Sequence, residues 1–226
     1  MKIGQSAGKS FAYILGVYLG DGNVSRHLAK NWDGVLERFS QFRLNTIDLD
    51  FAEAVRTALI DLTGRKITIH TYAVSKSSKP NNALSCGDEE LCNKLVIDTE
   101  GKSYIPSYVF DWSKEEKLAF VAGLMDSEGF ISKKHGSNVT YYMGFKCCES
   151  WVYDFARLLN TVGIQVGKTA ECPPYKAHYK TPIRFHIKLP TWVNAGAYFK
   201  IKRKQDRVEI WKNCKLSSTT NMLEAA

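Results

Sequence analysis

The chain has 226 residues, 44% of them hydrophobic and 24% charged, which is enough to bury a core and too apolar for a disordered chain. Its 31 Lys and Arg against 23 Asp and Glu give a net charge of +8. Residues 1–113 carry 13 basic and 13 acidic side chains and residues 114–226 carry 18 and 10, so the second half alone is basic and suits a polyanion such as nucleic acid.

The longest apolar stretch, residues 11–20, is about half a membrane span. Asp21 follows it where a signal peptide would need a small-residue cleavage site. The chain therefore reads as soluble and intracellular, with no membrane partner. Its six cysteines form no CxxC pair and read as buried thiols rather than a zinc site.

Taken in order, the first element is a helix in FAYILGVYLGDG, where Ala12, Gly16 and Gly20 recur every fourth residue before Asp21 and Gly22. A hairpin is expected over 23–45, a helix over 50–63, strands over 66–74 and 82–86, and a helix over 88–97. Residues 75–82 read as a turn-rich loop. Ser113 and Glu116 form a capping box that starts the next helix. In LAFVAGLMDSEG, the residues Ala119, Gly123 and Ser127 repeat the small stripe, and Glu128 and Gly129 follow it.

Each matching position lies 107 residues after its partner, so the chain is a duplicated half-domain rather than a short-period solenoid. Strands over 130–146, a helix over 150–163, strands over 167–172 and 184–190 and a helix over 191–199 continue the second copy. A last helix, 205–214, has no counterpart. The reading is two half-domains, 1–112 and 113–216, with a disordered tail over 217–226. Ile183, Phe185, Ile187 and Leu189 alternate with Arg184, His186 and Lys188, giving a strand with one apolar and one cationic face.

Residues four apart share a helix face, so each stripe lets another backbone approach closely. Glycine within a helix costs up to about 1 kcal/mol relative to alanine, and two equivalent stripes call for a packing reason. If the two helices pack side by side in the same direction, Asp21 and Glu128 emerge together at their C-terminal ends. Acids are disfavoured there unless a cation intervenes. Paired carboxylates suit a divalent metal in phosphate chemistry.

The segments ILGVYLGDG (residues 14–22) and VAGLMDSEG (residues 121–129) resemble the two motifs of a single-chain LAGLIDADG homing endonuclease. Leu19 stands where the motif often has its first Asp, while both penultimate acids are present. The resemblance covers nearly the whole chain. It implies an α+β fold of two αββαββα half-domains with pseudo-twofold symmetry, whose two antiparallel sheets form a DNA-binding saddle over the major groove.

The resemblance further implies a monomer that cuts both strands of double-stranded DNA at a long pseudo-palindromic or asymmetric site. Mg2+ would be the cofactor, with Mn2+ substituting and Ca2+ supporting binding without cleavage. Asp21 and Glu128, with Gly20 and Ser127 beside them, would hold metal. Lys202 and Lys102 resemble the basic residue near each active centre. Arg43 and Lys146 match the place that positions water or touches phosphate, and Lys200 and Lys204 read as a solvated or phosphate-contacting face.

Groove-facing candidates on the strands are Arg26, Arg38, Gln41, Asn45, His70, Arg184, His186 and Lys188. Tyr13, Tyr141 and Tyr142 are assigned to packing. Such a protein is expected in the cytoplasm of a bacterium, archaeon or phage-infected cell, or in an organelle. Two other readings stand beside it: an intron maturase that binds RNA, and a DNA-binding regulator without cleavage. A regulator would usually have lost the acids and gained a further domain.

Overall fold

The protein was analysed as a computed structural model that describes residues 8–30, 33–73, 79–133, 141–173 and 181–223. The first half runs α1 (Gly8–Leu19), β1 (Asn23–Lys30), β2 (Leu36–Thr46), α2 (Leu49–Thr63), β3 (Ile69–Tyr72), β4 (Asn81–Cys86) and α3 (Glu89–Asp98). After a 3-10 turn at Ser107–Asp111 the same order returns. It runs α4 (Lys114–Ser127), β5 (Gly129–Lys133), β6 (Tyr141–Cys147), α5 (Val152–Thr161), β7 (Ala170–Glu171), β8 (Ile183–Ile187) and α6 (Leu189–Ala195).

α7 (Lys202–Leu223) follows, so the helix expected over 205–214 extends through much of the stretch read as a tail. Part of the loop read over 75–82 lies outside the described residues. The α+β class and the αββαββα order are as expected. Each half has a four-stranded antiparallel sheet, ordered β1-β2-β4-β3 and β5-β6-β8-β7. Among the described residues, no helix is long and apolar enough to cross a membrane.

Local chemistry accounts for the element boundaries. The Asp88 side chain accepts from the Leu91 N–H at 2.9 Å and starts α3, while Gly64 and Gly196 end α2 and α6 in the left-handed region. The capping box forms as expected. The Ser113 N–H donates to Glu116 Oε2 at 3.0 Å, and the Glu116 N–H donates to Ser113 Oγ at 3.3 Å.

The inner face of the first sheet buries Phe42, Leu44 and Leu84, and α2 contributes Phe51, Val55 and Leu59 to the core. In the second sheet the Phe145 ring lies 4.7 Å from Phe155 of α5 and 5.7 Å from Phe185 of β8. Burying each such side chain contributes about 1.5–3 kcal/mol.

The chain divides into two compact units, Met1–Ser127 and Glu128–Ala226. The sequence repeat turns over near residue 113, yet α4 belongs to the first unit because its small stripe packs on α1. A methyl on Gly16 would overlap the Phe120 carbonyl oxygen, and one on Gly123 would overlap that of Tyr13. Each glycine thus lets the other helix's backbone into contact, as the paired stripes predicted. Nearby, Tyr13 donates to Asp126 Oδ2 at 3.0 Å, partnering a carboxylate that is only 2% exposed.

Candidate functional site

The first motif helix ends in a turn closed by the Gly22 N–H on the Val17 carbonyl at 2.8 Å, which leaves Asp21 at the surface. Beside it, Lys102 Nζ donates to the Gly20 carbonyl at 2.8 Å and lies 5.2 Å from the Tyr18 ring centroid. The lysine is delivered by three successive left-handed residues, Glu100 (φ 44°), Gly101 (φ 64°) and Lys102 (φ 76°). Two of these are not glycine, and such strain costs on the order of 1–3 kcal/mol each and tends to gather at functional sites.

Buried Thr99 organises this loop. It donates to the Leu95 carbonyl at 2.8 Å, accepts from the Lys102 N–H at 3.0 Å and hydrogen-bonds Tyr18. Burial pushes the Tyr18 phenol above its ordinary range. Tyr18, Asn23, Arg26 and Lys102 help line a pocket of about 320 Å³ with two cations at its wall.

The donor set here fits a hard divalent cation. Asp21 offers a carboxylate and Gly20 a carbonyl at the electronegative end of a helix, and an ammonium already sits on that carbonyl. Among the described residues, no group of three or more His, Cys, Asp or Glu side chains is assembled. Phosphate oxygens and water would therefore have to complete the coordination.

The second motif helix ends at Ser127, whose hydroxyl donates back to the Gly123 carbonyl at 3.0 Å, and half-buried Glu128 follows. Burial, reinforced by the Glu128 carboxylate, pushes the Cys147 thiol up to about 11. Gly129 pairs with Phe145, so continuing that ladder by one step sets Lys146 level with Glu128. In the first sheet the ladder begins two residues after Asp21, at Asn23, which pairs with Arg43.

At the start of α7, Lys204 differs from expectation. The Lys202 side chain is 77% exposed, with Nζ 2.7 Å from Asp206 Oδ2 one turn on. Lys204, assigned to the solvated face, is only 4% exposed and places Nζ 5.7 Å from the Phe199 ring centroid. The phase of the helix is the reason, because Ile201, Lys204 and Val208 share its buried stripe. That spacing was the signal available in the sequence. Arg207 anchors α7 by donating to the Ile131 carbonyl on β5, the strand that leaves Glu128.

Strand parity sorts the groove-facing candidates. The outer face of the first sheet carries Asn23, His27, Phe39, Gln41, Arg43, Asn45, His70 and Tyr72. Arg26 is a correction. It pairs with buried Ser40, sits on the inner-face parity, and donates through Nη2 to Asn93 Oδ1 of α3 at 2.9 Å. Arg38 pairs with Leu28 on that same parity, and its side chain lies outside the described residues.

His27 and Phe39, stacked with centroids 5.9 Å apart, occupy the outer face instead and escaped the sequence reading. In the second sheet Arg184, His186 and Lys188 are exposed as the alternation predicted, and Lys146 is exposed beside them. Tyr13 and Tyr141 are buried, but Tyr142 lies on this outer face at 42% exposure.

No protein-family model and no curated protein sequence matches the chain. Solved structures do. A mesophilic variant of the homing endonuclease I-DmoI aligns at 17% identity over 83% of this chain and 92% of its own, with a TM-score of 0.52. I-DmoI in complex with DNA and Ca aligns at 16% over 84% and 88%, with a TM-score of 0.53. A mutant of I-SmaMI aligns at 11% over 94% and 93%, with a TM-score of 0.50. The chain has the fold of the single-chain LAGLIDADG homing endonucleases.

Proposed function

We propose that the protein is a site-specific endonuclease that hydrolyses both strands of double-stranded DNA at a long asymmetric target with the help of a divalent metal. The observation that carries this reading is the pair of glycine-packed motif helices, each running directly into a carboxylate, Asp21 or Glu128. Solved structures of I-DmoI with its target DNA and Mn or Mg, and with DNA and Ca, lend support.

A bound divalent ion would supply Lewis acidity and a more acidic attacking water. The chain's own groups do the rest. Asp21 with the Gly20 carbonyl would hold metal at the first motif, and Glu128 with Ser127 beside it would do so at the second. Lys102, now on the Gly20 carbonyl, would balance charge at the first acid and serve a phosphate oxygen. In the second unit buried Lys204, rather than exposed Lys202, is the ammonium suited to steadying transition-state charge, because low dielectric strengthens its field. Lys146, level with Glu128, is placed to orient water or phosphate, and Arg43 contacts phosphate.

The outer faces of the sheets supply recognition. Arg184 and Lys188 suit phosphate or guanine, and Gln41 and Asn45 suit adenine. Because the two faces differ, the target is asymmetric and one chain acts as a monomer. The protein acts inside the cell or organelle that holds its target. The regulator reading ranks lower because it has no use for both acids, and a maturase activity could coexist with cleavage.

The test is incubation with a randomised duplex library in Mg2+ and in Ca2+, sequencing cut and bound molecules. Cleavage at one long site in Mg2+ with binding alone in Ca2+ is expected. Selective binding with no cleavage in either ion would replace the proposal with a regulator.

A further inference from the structure

The outer face of the second sheet holds a group that its cations do not explain. Phe130 of β5, Tyr142 of β6 and His186 of β8 form a closed set of edge-to-face contacts. Centroids lie 5.9 Å apart for Phe130–Tyr142, 6.4 Å for Phe130–His186 and 5.9 Å for Tyr142–His186. At the centre of the set is Gly144, which pairs with both Phe130 and His186. A methyl there would lie 2.6 Å from the Phe130 ring and 2.7 Å from the Phe185 carbonyl oxygen. The missing side chain therefore lets the Phe130 ring lie across the strand.

Shielding a bare glycine would need only one ring. Here the second, Tyr142, remains 42% exposed on the face that also carries Lys146, Arg184 and Lys188, the side chains best suited to a phosphate backbone. Charge complementarity brings duplex DNA onto this face, and the duplex constrains what an apolar group can touch. Base faces are stacked out of reach, and among the groups exposed in the major groove the thymine methyl is the apolar one.

We propose that the Phe130–Tyr142–His186 cluster reads thymine through its methyl group, giving this sheet a preference for T-bearing base pairs. The inference rests on the duplex-DNA reading above and deepens it. The test uses the full chain in Ca2+ with its selected duplex, in which each thymine is replaced singly by deoxyuridine, so that only a methyl is lost. Wild type should bind one or two of these duplexes about four-fold more weakly, the loss expected for one buried methyl. Tyr142→Ser should lose that discrimination and Tyr142→Phe should keep it.

Uridine tolerated at every position by a protein that still selects its duplex would overturn the methyl reading and leave the endonuclease reading standing. So would discrimination that persists in Tyr142→Ser. Tighter Tyr142-dependent binding to a single-stranded oligonucleotide would overturn it in favour of base stacking. Absence of any selective duplex binding would overturn the endonuclease reading, and this proposal with it.

Discussion

The two sheets share strand order, antiparallel pairing and an apolar inner face, yet their outer faces carry different polar sets. The first presents Gln41, Arg43, Asn45 and His70 beside a stacked His27–Phe39 pair; the second presents Lys146, Arg184, His186 and Lys188 around a three-ring cluster. An antiparallel sheet packed on one side leaves its other side unconstrained by the core. Repetition therefore survives where packing demands it, and the halves diverge where a partner would be met. The uneven charge of the chain is the sequence-level trace of that divergence.

The sharpest way to break the comparison is through the lysines. Lys204→Met should slow single-turnover cleavage at saturating protein by about 100-fold or more, the scale of losing one preorganised charge-stabilising group, with affinity preserved. Lys202→Met should change it by less than about threefold, since an exposed pair with Asp206 contributes little. The reverse ranking would restore Lys202 to the role the sequence first suggested. Charge on the outer faces gives the next effect. Arg184→Ala and Lys188→Ala should each lower the salt slope of binding by about 1, and Asn45→Ala should leave it unchanged, as measured by titration across salt concentrations.

Stability probes the shared architecture. Gly123→Ala should destabilise by about 1–3 kcal/mol in urea unfolding, because the new methyl meets backbone that cannot yield. Gly87→Ala, with nothing within 4 Å of the added carbon, should stay within about 0.5 kcal/mol. Tyr13→Phe should cost about 1–3 kcal/mol by removing a hydrogen bond from buried Asp126. The equivalent position in the first motif is Leu19, equally buried and in need of no such partner.

A further effect is one of pH. Burial pushes the Cys92 thiol from 9.0 to about 11. Its contribution is complete below pH 9 and is lost as pH rises toward 11, where the unfolded chain ionises first. Urea midpoints of Cys92→Ala should fall less between pH 8 and pH 10.5 than those of wild type.

Much of this was legible in the sequence. The 107-residue repeat exposed the duplication, the small stripes exposed the helix pair, and the alternation over 183–189 placed β8 with the correct face outward. What was not legible depended on phase. Arg26 belongs to a strand, NVSRHLAK, with no clean apolar alternation, so only its pairing with Ser40 reveals that it faces α3. Lys202 and Lys204 stand two apart in a basic run, and on a helix that spacing puts them on nearly opposite sides. Which one is buried depends on Ile201 and Val208, each residing on the stripe of Lys204. Tyr142 was assigned to packing because an aromatic residue in a strand usually packs. The glycine two residues on, opposite Phe130, is what draws the rings together outside.

The most direct test of the account is to compare Asp21→Asn and Glu128→Gln with wild type on the selected target, measuring cleavage in Mg2+ and affinity in Ca2+. The account predicts that each variant loses double-strand cleavage by at least about 100-fold while its affinity changes by no more than about twofold. A variant that cuts both strands at the wild-type rate would contradict it.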